Sequence, residues 1–176
     1  MWETGDRMKR HFMMFAAYNR WANSRLYDAA DALTDEEFTR NTGAFFGSMM
    51  GTLNHLLVTD RIWMKRFTGQ GDAPASLDAI VQRALPALRI AREAEDRRIV
   101  EWVDGLSDKD IAGRFSYVTT DMRTISQRLA PALDHLFNHQ THHRGQAHMI
   151  LTVLGHASVQ LDLMYFQRTE EGRTFA

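Results

Sequence analysis

Cysteine is absent from the 176 residues of the sequence. Its absence excludes disulfide bonds, zinc sites built on thiolates, and any mechanism that uses a cysteine nucleophile. A chain without disulfides is compatible with a reducing compartment, and we expect the protein to be cytoplasmic. The first ten residues, MWETGDRMKR, contain no apolar stretch, so a secretory signal peptide is not expected.

Long apolar runs and a one-sided charge are also missing. No stretch approaches the roughly 18 consecutive apolar residues that a membrane span needs, so we expect no membrane partner. The net charge is -1 and the isoelectric point is about 6.7, which gives no basic surface for nucleic acid. Hydrophobic residues make up 44% of the chain, enough to build the core of a single domain over residues 1–176.

Proline is scarce, since only three occur in the chain, and long helices are therefore permitted. Apolar residues recur every three or four positions in four segments, a pattern typical of amphipathic helices. These segments are residues 6–32, 48–68, 86–104 and 128–154. Ser48 is a candidate N-cap and Pro86 suits a first helical turn, whereas Gly105 and Gly155 end the helices that precede them.

Shorter elements are predicted in the connections. The tetrapeptide TDEE at 34–37 has the form of a helix capping box, and a weak helical turn is predicted at 77–84. Residues 114–125 alternate aromatic and β-branched side chains, which favours a short hairpin, and 159–167 reads as a final short helix. The predicted fold is all-α: an antiparallel four-helix bundle with short additional helices and a small β-hairpin insert.

Histidine is concentrated in one segment, since six of the eight lie between residues 135 and 156. On a helix of 3.6 residues per turn, His139 and His143 fall in the middle of an apolar stripe that includes Leu136 and Ala147. Buried imidazoles cost free energy unless their nitrogens have partners. A pair at i and i+4 brings both rings to one point, which indicates a divalent metal site.

His55 is the candidate for a third ligand, because it lies in the second helix in line with Gly51 and Val58. Gly51 would leave space beside the imidazole ring. His11, near the start of the first helix, has a weaker claim. A hydrogen-bonded polar network inside the bundle is the alternative, because it would satisfy the same imidazoles without a metal.

Other polar residues near the histidines are candidates for supporting roles. His142, Arg144 and Gln146 adjoin the proposed ligands and could contact substrate, support a ligand, or contact an adjacent subunit; a solvated surface position is the alternative for each. Asp60 and Asp134 point away from the apolar stripe, so we expect them at the surface or behind a ligand histidine.

The sequence resembles the family of DinB/YfiT-like metalloproteins over nearly its whole length. The matching blocks are YNRWAN (18–23), LNHLLVTDRIWMKRF (53–67) and HLFNHQTHHRGQ (135–146), followed by LGH and LDLMYF near the end. The resemblance implies a four-helix bundle with a divalent metal, commonly nickel or zinc, held by three histidines. Matched residue by residue, these ligands are His55, His139 and His143.

The resemblance also implies a range of activities. Members are often dimers, and those with known activity include hydrolases and thiol-dependent transferases and isomerases, which use low-molecular-weight thiols such as bacillithiol or mycothiol. We therefore expect a homodimeric, metal-dependent S-transferase or hydrolase that acts on a small molecule. The alternative is a non-catalytic, metal-stabilised dimer that acts as a binding or stress-response module. An open coordination position in a cleft favours the enzyme.

Overall fold

A computed structural model describes residues 7–119 and 122–175 of the chain. In chain order the elements are α1 (Arg7–Ala30), α2 (Asp35–Thr39), α3 (Met49–Thr68), α4 (Leu85–Asp104), α5 (Asp108–Ala112), β1 (Arg114–Val118), β2 (Thr124–Arg128), α6 (Leu129–Val153), α7 (Leu163–Gln167) and α8 (Glu170–Arg173). The helical bundle and the small hairpin predicted from the sequence are confirmed. Within these ranges no helix is long and apolar enough to cross a bilayer.

Local signals in the sequence determine several helix ends. At the start of α2, the backbone N–H of Glu37 donates to the Thr34 hydroxyl and the N–H of Thr34 donates to the Glu37 carboxylate, so the predicted capping box is confirmed. The Ser48 side chain accepts a hydrogen bond from the N–H of Gly51 and caps α3. Gly69 ends α3 in the left-handed conformation that glycine adopts most readily.

Two short elements differ from the prediction, because α1 and α3 bind the connecting chain through its backbone. Residues 77–84 form no helix: the Asn54 side chain accepts from the N–H groups of Val81 and Gln82 and donates to the Gln82 carbonyl, at 2.9 to 3.0 Å. The final predicted helix begins at Leu163 rather than at 159, and the carbonyl of Leu161 just before it accepts from Tyr18 of α1.

The hairpin pairs β1 with β2 in antiparallel register, with Tyr117 opposite Ile125. Residues 120–121, which fall inside the predicted 114–125 segment, lie outside the described residues. β2 runs on to Arg128, directly before the first residue of α6. The hairpin thus brings its second strand next to the start of the histidine-bearing helix.

Neighbouring long helices run antiparallel in two pairs and parallel in two. Lys9 at the start of α1 pairs with Asp104 at the end of α4, and α3 runs against α6 in the same antiparallel way. α3 and α4 run parallel, as do α1 and α6. The antiparallel prediction is therefore confirmed for α1/α4 and α3/α6 only. The connection 69–84 returns along α3, so that α4 begins at the same end of the bundle as α3.

A layer of buried polar side chains lies between the two larger of the three apolar clusters in the described core. Its members are Asn19, Asn23, Asp60, Arg92, Asp96, Gln140 and Arg144, each at most 3% exposed. The Arg92 guanidinium forms ion pairs with Asp60 at 2.8 Å and with Asp96 at 3.0 Å. Because buried charges are tolerated only when they are paired, this layer constrains how the four helices pack.

The polar layer corrects two expectations. Asp60 is fully buried rather than at the surface, and burial raises its pKa to about 6 although Arg92 acts in the opposite direction. The buried face of α6 is centred closer to Leu133, Gln140 and Arg144 than the apolar stripe had indicated. His139 therefore lies at the edge of that face, half-buried, and not in its middle.

Replacing Arg92 by methionine should lower the free energy of unfolding by about 3–5 kcal/mol, because two buried carboxylates lose their counterion. Arg89→Met is the matched control: Arg89 also pairs with two carboxylates, Asp28 and Asp31, but these are more than half exposed. Its loss should cost at most about 1 kcal/mol. Urea unfolding of both variants measures the difference, and equal losses would contradict a structural role for the buried layer.

Candidate metal site

Three histidines from two helices meet on one flank of the bundle. One ring nitrogen of each of His55, His139 and His143 lies within 4.8 Å of those of the other two. His55 comes from α3, whereas His139 and His143 are one turn apart on α6. The antiparallel packing of α3 against α6 brings them together. The three residues that the sequence proposed as ligands are thus the three that the structure places side by side.

The tautomers of two of these rings follow from their hydrogen-bond partners. The Nδ1 of His55 lies 2.8 Å from the Leu77 carbonyl oxygen, and the Nδ1 of His143 lies 2.7 Å from the side-chain oxygen of Gln146. Since both partners can only accept, each Nδ1 carries the proton and donates. Each neutral ring then presents an unprotonated Nε2 lone pair, the usual state of a metal-binding imidazole.

These two Nε2 atoms are only 3.2 Å apart. With both lone pairs unprotonated, the contact is repulsive unless a cation lies against both atoms. The rings of His139 and His143 are 4.3 Å apart, and neither ring nitrogen of His139 is hydrogen-bonded to another described residue. The donor set and its geometry therefore fit a divalent metal ion bound by three imidazoles.

The loop before α3 forms one wall of this site. The Phe46 ring stacks on the His55 ring at 3.7 Å, with 20° between the planes. A side chain at Gly51 would lie 2.0 Å from the Phe46 carbonyl oxygen, so only glycine allows the loop to approach α3 this closely. Gly51 does leave space as predicted, but the space is filled by the Phe46 backbone.

The other predicted site residues divide into two groups. Gln146 lies beside the site, because it accepts from His143 and its amide nitrogen is 3.3 Å from the Nε2 of the exposed His142. Arg144 is only 2% exposed and donates to Asn19 of α1. The expectation that Arg144 contacts a substrate or a second subunit is therefore wrong, because its side chain belongs to the buried polar layer.

One side of the histidine cluster faces outward. His139 is half-buried, and exposed His135 lies one turn before it with its ring 5.7 Å away. In residues 7–119 and 122–175, no carboxylate and no fourth histidine joins the group. Three other residues considered in the sequence analysis lie elsewhere. Asp134 and His11 are exposed, and Asp60 forms an ion pair with Arg92. Three ligands with an open side are typical of catalytic metal sites.

Burial keeps these imidazoles neutral. Desolvation is the largest cause that lowers the pKa values of His55 and His143. For His139, desolvation and then repulsion from the neighbouring histidines lower the pKa to about 3. A neutral imidazole is the form that binds a metal, so protons compete weakly for this site near neutral pH.

Comparison with known proteins gives a family match and a relative. The family model of the DinB family matches residues 8–174, which include all three histidines. The chain is also 25% identical over 166 residues to Protein DinB of Bacillus subtilis (strain 168). That alignment covers 88% of this chain and 94% of the relative.

His139→Ala should abolish stoichiometric metal binding, because two imidazoles hold a divalent ion poorly. His148→Ala is the control, since this histidine is also on α6 but binds Ser158 outside the cluster. Elemental analysis of both purified variants gives the metal content. Full metal content in His139→Ala would rule out the three-histidine assignment.

Metal affinity should change little between pH 7 and pH 6. Three imidazoles with ordinary pKa values near 6.5 would bind about 30-fold more weakly at the lower pH, because each proton competes with the metal. With all three pKa values lowered by burial, we expect a clearly smaller change than this. Competition with a chromophoric chelator, calibrated at each pH, measures the dissociation constant, and a loss of about 30-fold would contradict the buried, neutral site.

Proposed function

The chain belongs to the DinB family, and we propose that it is a metal-dependent enzyme in which His55, His139 and His143 hold a divalent cation. Nickel and zinc both suit imidazole ligands. The observation that carries this proposal is the pair of Nε2 atoms at 3.2 Å, each on a ring whose other nitrogen already donates a hydrogen bond. The half-buried His139 completes a site with one open side.

A divalent cation held by three imidazoles lowers the pKa of a water or thiol that binds it, and so supplies a nucleophile near neutral pH. The protein's own part is to orient the ligands. Leu77 and Gln146 accept the Nδ1 protons and hold the rings of His55 and His143 with Nε2 inward. Phe46 covers one face of His55 and keeps water away from it.

A thiol is the nucleophile that the site favours. A thiol has an ordinary pKa of about 8.5 against about 15.7 for free water, so a bound cation would need to shift it less to give an anionic nucleophile near neutral pH. Since the chain has no cysteine, the thiol must be a low-molecular-weight cosubstrate. We therefore place S-transfer to a small electrophile ahead of hydrolysis.

A non-catalytic, metal-stabilised module is the competing proposal. A metal with a structural role usually has four protein ligands, whereas the described residues offer three. The open side next to His135 therefore favours the enzyme. The homodimer and the cytoplasmic location expected from the sequence stay predictions, and analytical ultracentrifugation tests the first of them.

The zinc- or nickel-loaded protein should accelerate consumption of an electrophile such as 1-chloro-2,4-dinitrobenzene by at least one thiol among cysteine, glutathione, coenzyme A, bacillithiol and mycothiol. The rate should fall to the uncatalysed value after metal removal and in His139→Ala, because the nucleophile is no longer activated. His148→Ala should keep the full rate. Chromatographic detection of the S-conjugate gives the rate.

Two other results would change this assignment. Metal-dependent cleavage of an ester with no thiol present would identify a hydrolase. Equal rates for the metal-loaded and metal-free protein with every thiol would instead leave the binding module as the remaining function.

A further inference from the structure

A groove of about 320 Å³ opens beside the histidine cluster. It is lined by Trp63, Gln127, Arg128, Pro131, Ala132 and His135, which come from α3, the end of β2 and the first turns of α6. The groove is therefore built where the hairpin meets the histidine-bearing helix. None of its six lining residues is a ligand in the proposed metal site.

A continuous row of rings links this groove to the histidine cluster. The Trp63 ring is 5.1 Å from the His135 ring, which in turn is 5.7 Å from the ring of His139. His135 and His139 are four residues apart, about 6 Å along the helix axis. Because His135 lines the groove and its ring neighbours that of His139, the groove adjoins the open side of the cluster.

The groove is positively charged and has no acidic lining residue. Arg128 is exposed and forms no ion pair with another described residue. Arg66 stacks between Trp63 and Tyr117, with its guanidinium carbon 4.7 Å from each ring centre, and it too lacks a carboxylate partner in the described chain. Two arginines without acidic partners beside one groove favour an anionic ligand.

The side chains also indicate the shape of that ligand. A guanidinium group matches a carboxylate with two parallel hydrogen bonds, which makes Arg128 a suitable partner for a carboxylate end. Arg66 covers one face of the Trp63 ring, and the indole also lines the groove with apolar surface, against which a planar unsaturated or aromatic body packs well. The row of rings from Trp63 through His135 to His139 leads from the groove towards the metal ligands.

We propose that this groove binds a planar, carboxylate-bearing substrate, with the carboxylate at Arg128, the flat body on Trp63 and the reacting end at the histidine cluster. The placement of the reacting end at the histidine cluster rests on the function proposed above. The binding itself is a property of the groove and can be measured without turnover.

Isothermal titration calorimetry of the zinc-loaded protein tests the binding, with cinnamate, benzoate and 2-naphthoate as probes and cinnamyl alcohol as the uncharged counterpart of cinnamate. Cinnamate should bind at least about tenfold more tightly than the alcohol, since only the carboxylate pairs with Arg128. Arg128→Gln should weaken cinnamate binding about tenfold and leave the alcohol unchanged. Trp63→Leu should weaken both, with the melting temperature checked to confirm that this variant is folded.

The control variant is Arg97→Gln, an exposed arginine on α4 that lines a separate cavity between α1 and α4. It should bind cinnamate as the unmodified protein does. Equal affinity for cinnamate and its alcohol, or no binding of any of the three carboxylates at millimolar concentration, overturns the proposal. So does cinnamate binding that is lost on metal removal yet unchanged in Arg128→Gln, because the carboxylate would then bind the metal directly.

The thiol assay separates a failure of the groove from a failure of the proposed function. Cinnamate binding that depends on Arg128, together with no metal-dependent turnover, supports the groove and contradicts the enzyme. Metal-dependent thiol transfer with unchanged carboxylate affinity in Arg128→Gln contradicts the groove and supports the enzyme.

Discussion

The contact between the Nε2 atoms of His55 and His143, 3.2 Å apart, is the constraint to which the surrounding structure is adapted. Both rings are locked into the tautomer that leaves these atoms unprotonated, because Leu77 and Gln146 accept the two Nδ1 protons. Protein folding tolerates such a lone-pair contact at a functional site when surrounding interactions hold both rings in place. A cation is the natural partner for this arrangement, and His139 adds a third nitrogen on the same side.

The buried polar layer is what keeps the two histidine-bearing helices in register. Gln140, one residue after His139, donates to the carbonyl of Leu56, one residue after His55, at 3.0 Å. This hydrogen bond links α3 and α6 directly beside the site. Buried charges rarely add net stability compared with apolar packing, but they penalise any shift that would leave a charge unpaired. The layer thus holds the cluster together by making alternative helix registers costly.

Helix positions and ligand candidates could be predicted from the sequence because both depend on local patterns. Capping residues such as Ser48 act within one turn, and the i, i+4 spacing of His139 and His143 is a property of a single helix. The face that α6 buries could not be predicted in the same way, since a polar residue such as Gln140 reads as exposed until its partners on other helices are known. The same holds for Leu77, whose carbonyl reaches His55 only because the connection 69–84 returns along α3.

The position of His139 at the edge of the buried face leaves the histidine cluster accessible from one side, as the proposed chemistry requires. In the middle of that face a metal would be enclosed by four helices, and neither a cosubstrate nor a substrate could reach it. At the edge, Phe46 and the Leu77 segment close the side towards His55, while His139 stays half-buried next to His135. Opposite sides of the site therefore have different roles. The covered side fixes the orientation of the imidazoles, and the open side determines which molecules can approach them.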